Sequence, residues 1–159
     1  MVKDVIQQLQ QDVALHLTQL IEKRTSDSRL KEAMLYAVQS GGKRIRPLLT
    51  LAVGASGTSR NKAALDLACA LEMIHTYSLI HDDLPGMDDD DLRRGRPTVH
   101  KAFDEATAIL AGDALLTLAF EVAANANLEA NQLVEAVKIL STASGMSGMI
   151  SGQMKDIAS

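Results

Sequence analysis

The sequence predicts an all-α protein, on three observations. Apolar residues recur at helical spacing along almost the whole chain. No segment alternates apolar and polar residues as a half-buried strand would. Aromatic residues make up only 3% of the 159 positions and Trp is absent, so Leu, Ala, Ile, Val and Met must fill the core. At this length the chain is one domain's worth, a single all-helical segment over 1–159 that can bury a core without staples.

Each element has its own signature. Val2, Val5, Ile6, Leu9, Val13, Leu17, Leu20 and Ile21, with Gln, Asp and Glu between them, form an amphipathic first helix. Thr25-Ser26-Asp27-Ser28 breaks it and offers caps for a second, carrying Leu30, Met34, Ala37 and Val38. Ser40-Gly41-Gly42 ends that helix, and Pro47 suits the first turn of a third, through Leu48, Leu49, Leu51 and Val53. Gly54 to Asn61 reads as a polar connection, and a fourth helix runs from about Lys62 towards His81. Pro85-Gly86 and Gly95-Arg96-Pro97 mark breaks. Ala106 to Ala124 is apolar almost all round, which predicts a helix buried on most sides or packed on a partner subunit. Asn125 to Asn131 is a turn region and Gln132 onward is helical. Gly145, Gly148 and Gly152 are spaced to share one face of that last helix.

The bulk numbers exclude several classes. A net charge of −4 argues against general nucleic-acid or anionic-membrane binding. Cys69 is alone in an Ala/Leu-rich segment, so it predicts a buried core thiol, no disulfide and a reducing compartment. The first residues do not resemble a signal peptide, and no apolar run reads as long and uninterrupted enough to span a bilayer. A soluble, cytoplasmic protein is the expectation.

The chemistry concentrates in Asp82 to Arg96. Asp82, Asp83, Asp88, Asp89, Asp90 and Asp91 place six carboxylates within ten residues, and only Leu92 separates them from Arg93, Arg94 and Arg96. Clustered anions repel unless a cation gathers them, and oxygen-only ligands flanked by arginines suit Mg²⁺ that also holds phosphate. Arginine adds bidentate recognition of phosphate oxygens. Asp82 and Asp88 are six apart, on different faces of an unbroken helix, but a bulge at Pro85-Gly86 can bring them together. A solvated loop and a calcium loop are the alternatives. An EF-hand needs alternating ligands, a central Gly and a terminal Glu, which this run does not provide.

A second cluster is Gly41-Gly42-Lys43-Arg44-Ile45-Arg46-Pro47, two glycines and three cations at a helix start. Backbone N–H groups and the helix dipole favour an anion there, although basic turns are also common on surfaces and the pattern is not a Walker motif. With the arginines of the first cluster it suggests two separate places to hold phosphates. His75, Ser78 and Asp82 share a helix face, so His75 reads equally as a ligand contact or a packed residue. Asp113, within an apolar helix whose other charge is Glu121, is expected to pair with a basic residue, and Gln153 and Asp156 either face one cavity or form an exposed polar face.

These motifs, with Glu72 to Thr98, Ala111-Gly112-Asp113-Ala114 and Gly152-Gln153-Met154-Lys155-Asp156, resemble the trans-prenyl diphosphate synthases, most closely the bacterial farnesyl type. The resemblance covers nearly the whole chain. It implies an isoprenoid (terpenoid) synthase helical bundle, a prenyltransferase of isoprenoid biosynthesis condensing isopentenyl diphosphate with an allylic diphosphate, and a homodimer. It implies that Asp82 and Asp88, supported by Asp83, hold Mg²⁺. Arg93 would bind the allylic diphosphate, and Lys43, Arg46, His75 and Arg94 the isopentenyl diphosphate. Tyr77, five positions before Asp82, would limit product length, although simple helix geometry does not put it on the Asp82 face.

Nothing after Asp91 resembles the family's second aspartate-rich motif or its Lys-Thr pair. The chain is therefore expected to correspond to the N-terminal half of a synthase domain, here truncated and inactive alone. A non-catalytic diphosphate-binding subunit, a geranylgeranyl or geranyl diphosphate synthase, and a terpene cyclase are the competing readings. The last has no need of the Gly41–Arg46 patch.

Overall fold

The computed structural model describes residues 2–55 and 62–158. Among these the chain forms eight helices: α1 (Val2–Arg24), α2 (Ser28–Val38), α3 (Ile45–Ala55), α4 (Lys62–Asp82), α5 (Val99–Ala102), α6 (Glu105–Ala124), α7 (Ala130–Ser144) and α8 (Met149–Ile157). The all-α expectation holds, with one addition. Leu92–Arg93 (β1) and Arg96–Pro97 (β2) pair antiparallel as a minimal hairpin. Its central residues Arg94 and Gly95 both take positive φ, 55° and 77°, the pattern of a type I′ turn. Two-residue strands are too short to leave an alternation in the sequence.

Helices α4 and α6 form the largest interface of the bundle, with α1, α2 and α3 packed around them. Small residues allow the approach: Ala70, Ala108, Ala111 and Ala119 are buried. Gly112 is required where the helices cross, because a Cβ there would overlap the His81 ring. Val13, Leu17 and Ile21 of α1, Met34 of α2, Met73 of α4 and Leu115 of α6 fill the centre. Burying each of the larger aliphatic side chains contributes about 1.5–3 kcal/mol. Cys69 is wholly buried among them, and burial pushes its thiol pKa up.

Polar groups set the helix starts. Asp27 caps α2 by accepting from Leu30 N at 2.8 Å, and Asp104 caps α6 by accepting from Thr107 N at 2.7 Å. Glu129 and Gln132 make a capping box that starts α7 before Gln132. Helix α3 continues through Gly54 and Ala55, where a connection was expected, and residues 56–61 of that connection lie outside the described residues.

Two expectations need correction. Helices α4 and α6 are long and apolar enough to cross a membrane by length and composition. About half of each apolar stretch, 56% and 50%, is buried, which accounts for the composition as bundle packing. The glycines near the C-terminal end do not share one helix face. Helix α7 stops at Ser144 and α8 starts at Met149, so Gly145 and Gly148 form the break between them.

Candidate active site

Helix α4 carries polar groups on two sides of its C-terminal half. On one side, Asp82 opens onto a cavity of about 360 Å³ lined mainly by Tyr77, Met87, Met149, Ile150 and Met154. The backbone rewinds at Pro85-Gly86, so Asp88 N donates to Asp82 O at 2.9 Å. That bond returns Asp88 to the end of α4, as the two carboxylates' spacing required. Burial and then the Asp88 charge raise the Asp82 pKa, opposed by Arg93 and by a hydrogen bond from Gln153 Nε2 to Asp82 Oδ1. Gln153 thus faces the site from α8.

Asp83 points elsewhere. It is 3% exposed, and Nε and Nη2 of Arg93 reach its Oδ1 at 2.7 and 2.6 Å. The same guanidinium lies 3.9 Å from Asp82 and 3.8 Å from Asp90, and its pKa is raised chiefly by the Asp83 hydrogen bond. Asp83 therefore fixes Arg93 beside Asp82. Among the described residues no three His, Cys, Asp or Glu side chains converge as a metal cluster. Asp82 and Asp88 nonetheless fit Mg²⁺, which is commonly held by one or two carboxylates with water and substrate phosphates. Their mutual repulsion is what such an ion would relieve.

The other side is cationic. Glu72, His75, Thr76, Leu79 and Asp83 line a small cavity of about 30 Å³ with Arg44, Arg93 and Arg94. Burial first, then Arg46, Arg94 and Arg93 in that order, lowers the His75 pKa to about 4. The imidazole is thus neutral near pH 7 and surrounded by guanidinium charge. Although His75 and Asp82 share a helix face by spacing, they open onto different cavities.

The structure revises the two basic patches. Arg93 and Arg94, adjacent in the hairpin, diverge: Arg93 goes to Asp83, whereas Arg94 Nη1 donates to the carbonyl of Gly41. The Gly41–Arg46 segment and Arg94 consequently form one cationic site. Arg44 is not available to a ligand there. It is buried at positive φ, donating from Nη1 to Glu72 Oε1 at 3.0 Å and from Nη2 to Val38 O. Lys43 and Arg46 are exposed, and the Lys43 carbonyl accepts from Gln10 Nε2 at 2.9 Å.

Tyr77 does reach the Asp82 cavity, against the simple wheel argument. Its ring packs edge-on against His81, with centroids 5.2 Å apart, and the cavity is wide enough to take both residues in its wall. Asp113 is 58% exposed, with His81 Nε2 3.8 Å from its Oδ1. Glu72 escaped the sequence reading. Its signal was an acid inside an Ala/Leu-rich helix, three residues before His75, with cations elsewhere in the chain to meet it.

The all-α bundle is that of the isoprenoid synthases, as the solved structures it superposes on show. Residues 27–159 match the polyprenyl synthetase family, and the chain belongs to it. It is 58% identical over 132 residues to farnesyl diphosphate synthase of Micrococcus luteus, covering 83% of this chain and 45% of that one. It is 52% identical over 130 residues to geranylgeranyl pyrophosphate synthase 4 of Arabidopsis thaliana, covering 82% and 35%. A geranyltransferase structure from Legionella pneumophila superposes with a TM-score of 0.92 at 48% identity, covering 98% of this chain and 56% of that one. The chain spans about half the length of the bacterial farnesyl diphosphate synthases it matches.

Proposed function

We propose that this chain supplies the Asp82–Arg96 and Gly41–Arg46 sites of a Mg²⁺-dependent prenyltransferase. In this reading the whole protein condenses isopentenyl diphosphate with dimethylallyl diphosphate to give geranyl diphosphate, and with geranyl diphosphate to give farnesyl diphosphate, each step releasing diphosphate and a proton. The observation that carries it is the division of α4: Asp82, with Arg93 3.9 Å away, opens onto an apolar cavity, whereas His75 opens onto a second cavity lined by Arg44, Arg93 and Arg94. One helix thereby separates two diphosphate sites of different character.

The residues divide the work. Arg93, held by Asp83, neutralises charge growing on the departing allylic diphosphate as its C–O bond ionises. Asp82 and Asp88 hold Mg²⁺, which when bound supplies Lewis-acid stabilisation of the same leaving group. Arg94, Arg46, Lys43 and His75 hold isopentenyl diphosphate so that its double bond faces the allylic carbon. The apolar walls of the larger cavity exclude the water that would quench an allylic cation. Tyr77 in that wall limits product length. We assign residues 1–159 to one synthase domain, a cytoplasmic location in keeping with buried, unpaired Cys69, and a homodimer contact through α6, where Ile109 and Leu110 stay 43% and 59% exposed.

Calorimetry on the chain tests the sites directly. Isopentenyl diphosphate binding should be independent of Mg²⁺, and geranyl diphosphate binding should require it. Failure of both overturns the reading. Turnover by the whole protein then decides against a non-catalytic subunit, and product length distinguishes farnesyl from geranyl and geranylgeranyl synthesis.

A further inference from the structure

Beneath the acidic run lies a buried imidazole with half of its hydrogen bonding missing. His100, on α5, is 7% exposed, and its Nε2 has no hydrogen-bond partner among the described residues. Its Nδ1 lies 3.1 Å from Oγ1 of Thr98, a residue only 2% exposed. That hydroxyl also lies 2.8 Å from the Asp90 carbonyl oxygen and 3.4 Å from that of Asp91.

Counting hydrogens selects one arrangement. A carbonyl only accepts, so the single Thr98 hydroxyl hydrogen must go to Asp90 O; otherwise two oxygens would meet without a proton. The hydroxyl oxygen is then an acceptor for His100, which must carry its hydrogen on Nδ1. A doubly protonated ring would leave an unpaired charge buried at Nε2, so the neutral Nδ1–H tautomer remains.

We propose that His100 is a positioning residue, which as the Nδ1–H tautomer orients the Thr98 hydroxyl onto Asp90 and so fixes the far end of the acidic loop. The near end is tied to α4, through Asp88 N to Asp82 O at 2.9 Å and Asp89 N to Leu84 O at 3.1 Å. The far end is tied chiefly through residues 98–101, by Thr98 Oγ1 to Asp90 O, Thr98 N to Asp91 O at 3.0 Å and Lys101 Nζ to Asp91 Oδ1 at 2.8 Å, beside a longer 3.8 Å contact of Arg93 with Asp90. The near end carries Asp88, and the far end leads directly into the hairpin that presents Arg93 and Arg94. The functional weight of this inference rests on the allylic diphosphate site proposed above, whereas the tautomer does not.

Ring-nitrogen NMR on the wild-type chain should find His100 with hydrogen on Nδ1 and a bare Nε2; hydrogen on Nε2 overturns the proposal. Two isosteric variants then separate positioning from packing. His100→Asn places an amide N–H near the Nδ1 position, and His100→Gln places one near Nε2. With Mg²⁺ present, geranyl diphosphate affinity should hold within about twofold for the Asn variant and fall about tenfold for Gln, the scale on which outer-shell partners act. Equal behaviour of the two variants overturns the role. If both variants unfold, the wild-type tautomer alone decides. A wild-type chain that does not bind geranyl diphosphate refutes the proposed function and leaves the tautomer result to judge His100.

Discussion

Arg94 and Gly42, 52 positions apart, occupy one space: a Cβ added to Gly42 would overlap the Arg94 guanidinium. Arg94 also donates to the neighbouring Gly41 carbonyl. Glycine at 42 is required by its backbone, since its φ is +124°, and a side chain there would also have to push the Arg94 guanidinium aside. Gly41→Ala, at φ +82° with no heavy atom within 4 Å of a new Cβ, meets only backbone strain. We expect Gly41→Ala to cost about 1–3 kcal/mol of stability with affinity retained. Gly42→Ala should add about a tenfold loss of isopentenyl diphosphate affinity, equivalent to about 1.4 kcal/mol. Calorimetry beside thermal melts separates the two, and equal affinity losses would refute the contact's role.

His75 should report ligand binding by its titration. Free, its pKa is lowered to about 4 by burial and by Arg46, Arg94 and Arg93. A bound diphosphate would offset that positive charge and raise the pKa. Binding therefore takes up protons, and affinity should strengthen as pH falls towards the bound-state value. For folding the sign is the reverse. The unfolded His, near 6.5, binds protons where the folded one does not, so its contribution is constant above about pH 6.5 and destabilising as pH falls towards 4. Proton NMR of the ring with and without isopentenyl diphosphate checks this; an unchanged midpoint would show that the anion binds elsewhere.

The Arg44–Glu72 pair is buried on both sides, with side chains 7% and 6% exposed. Burial raises the Glu72 pKa against the lowering effects of Arg44, Arg94 and Arg46, so this carboxylate is the anion that the cationic site itself supplies. Removing one partner leaves a buried charge. Arg44→Met should cost about 3–5 kcal/mol in chemical denaturation, and Arg44→Met with Glu72→Leu should recover much of it. A double variant no more stable than the single one would argue that the pair contributes net stability.

What could be read from the sequence followed from local rules. Helix existence, a helix cap among Thr25-Ser26-Asp27-Ser28 and the return of Asp88 to Asp82 depend on spacing within a few residues, and each was legible. Contacts between distant segments were not. Nothing near Arg94 indicates that it reaches Gly41, and nothing near Asp83 says that its partner is Arg93 rather than a cation from solution. The hairpin was invisible because two residues carry no period, and the break at Gly145–Gly148 because glycine spacing equally fits a helix face.

Tyr77 and His81 share the wall of the larger cavity, ring edge to ring face. Truncating the tyrosine opens space beside His81 without touching Asp82. In the whole protein, Tyr77→Ala should shift products to longer chains by at least one five-carbon unit, as read by chromatography of the dephosphorylated alcohols. An unchanged distribution would place the limit on chain growth elsewhere in the cavity.

Gln153 tests whether α8 tunes the carboxylate that it touches. Asp82 sits above its usual pKa because burial and Asp88 outweigh Arg93 and the Gln153 hydrogen bond. Mg²⁺ competes with a proton for this group, so Mg²⁺-dependent binding should fail on acidification through the raised pKa. Gln153→Leu removes one lowering influence and should move that failure to higher pH. Asp88→Asn removes a raising influence and should move the Asp82 midpoint lower, even as it weakens the metal site. Carboxyl-carbon NMR of Asp82 follows both midpoints. A midpoint that neither variant moves would mean that burial alone sets the Asp82 pKa.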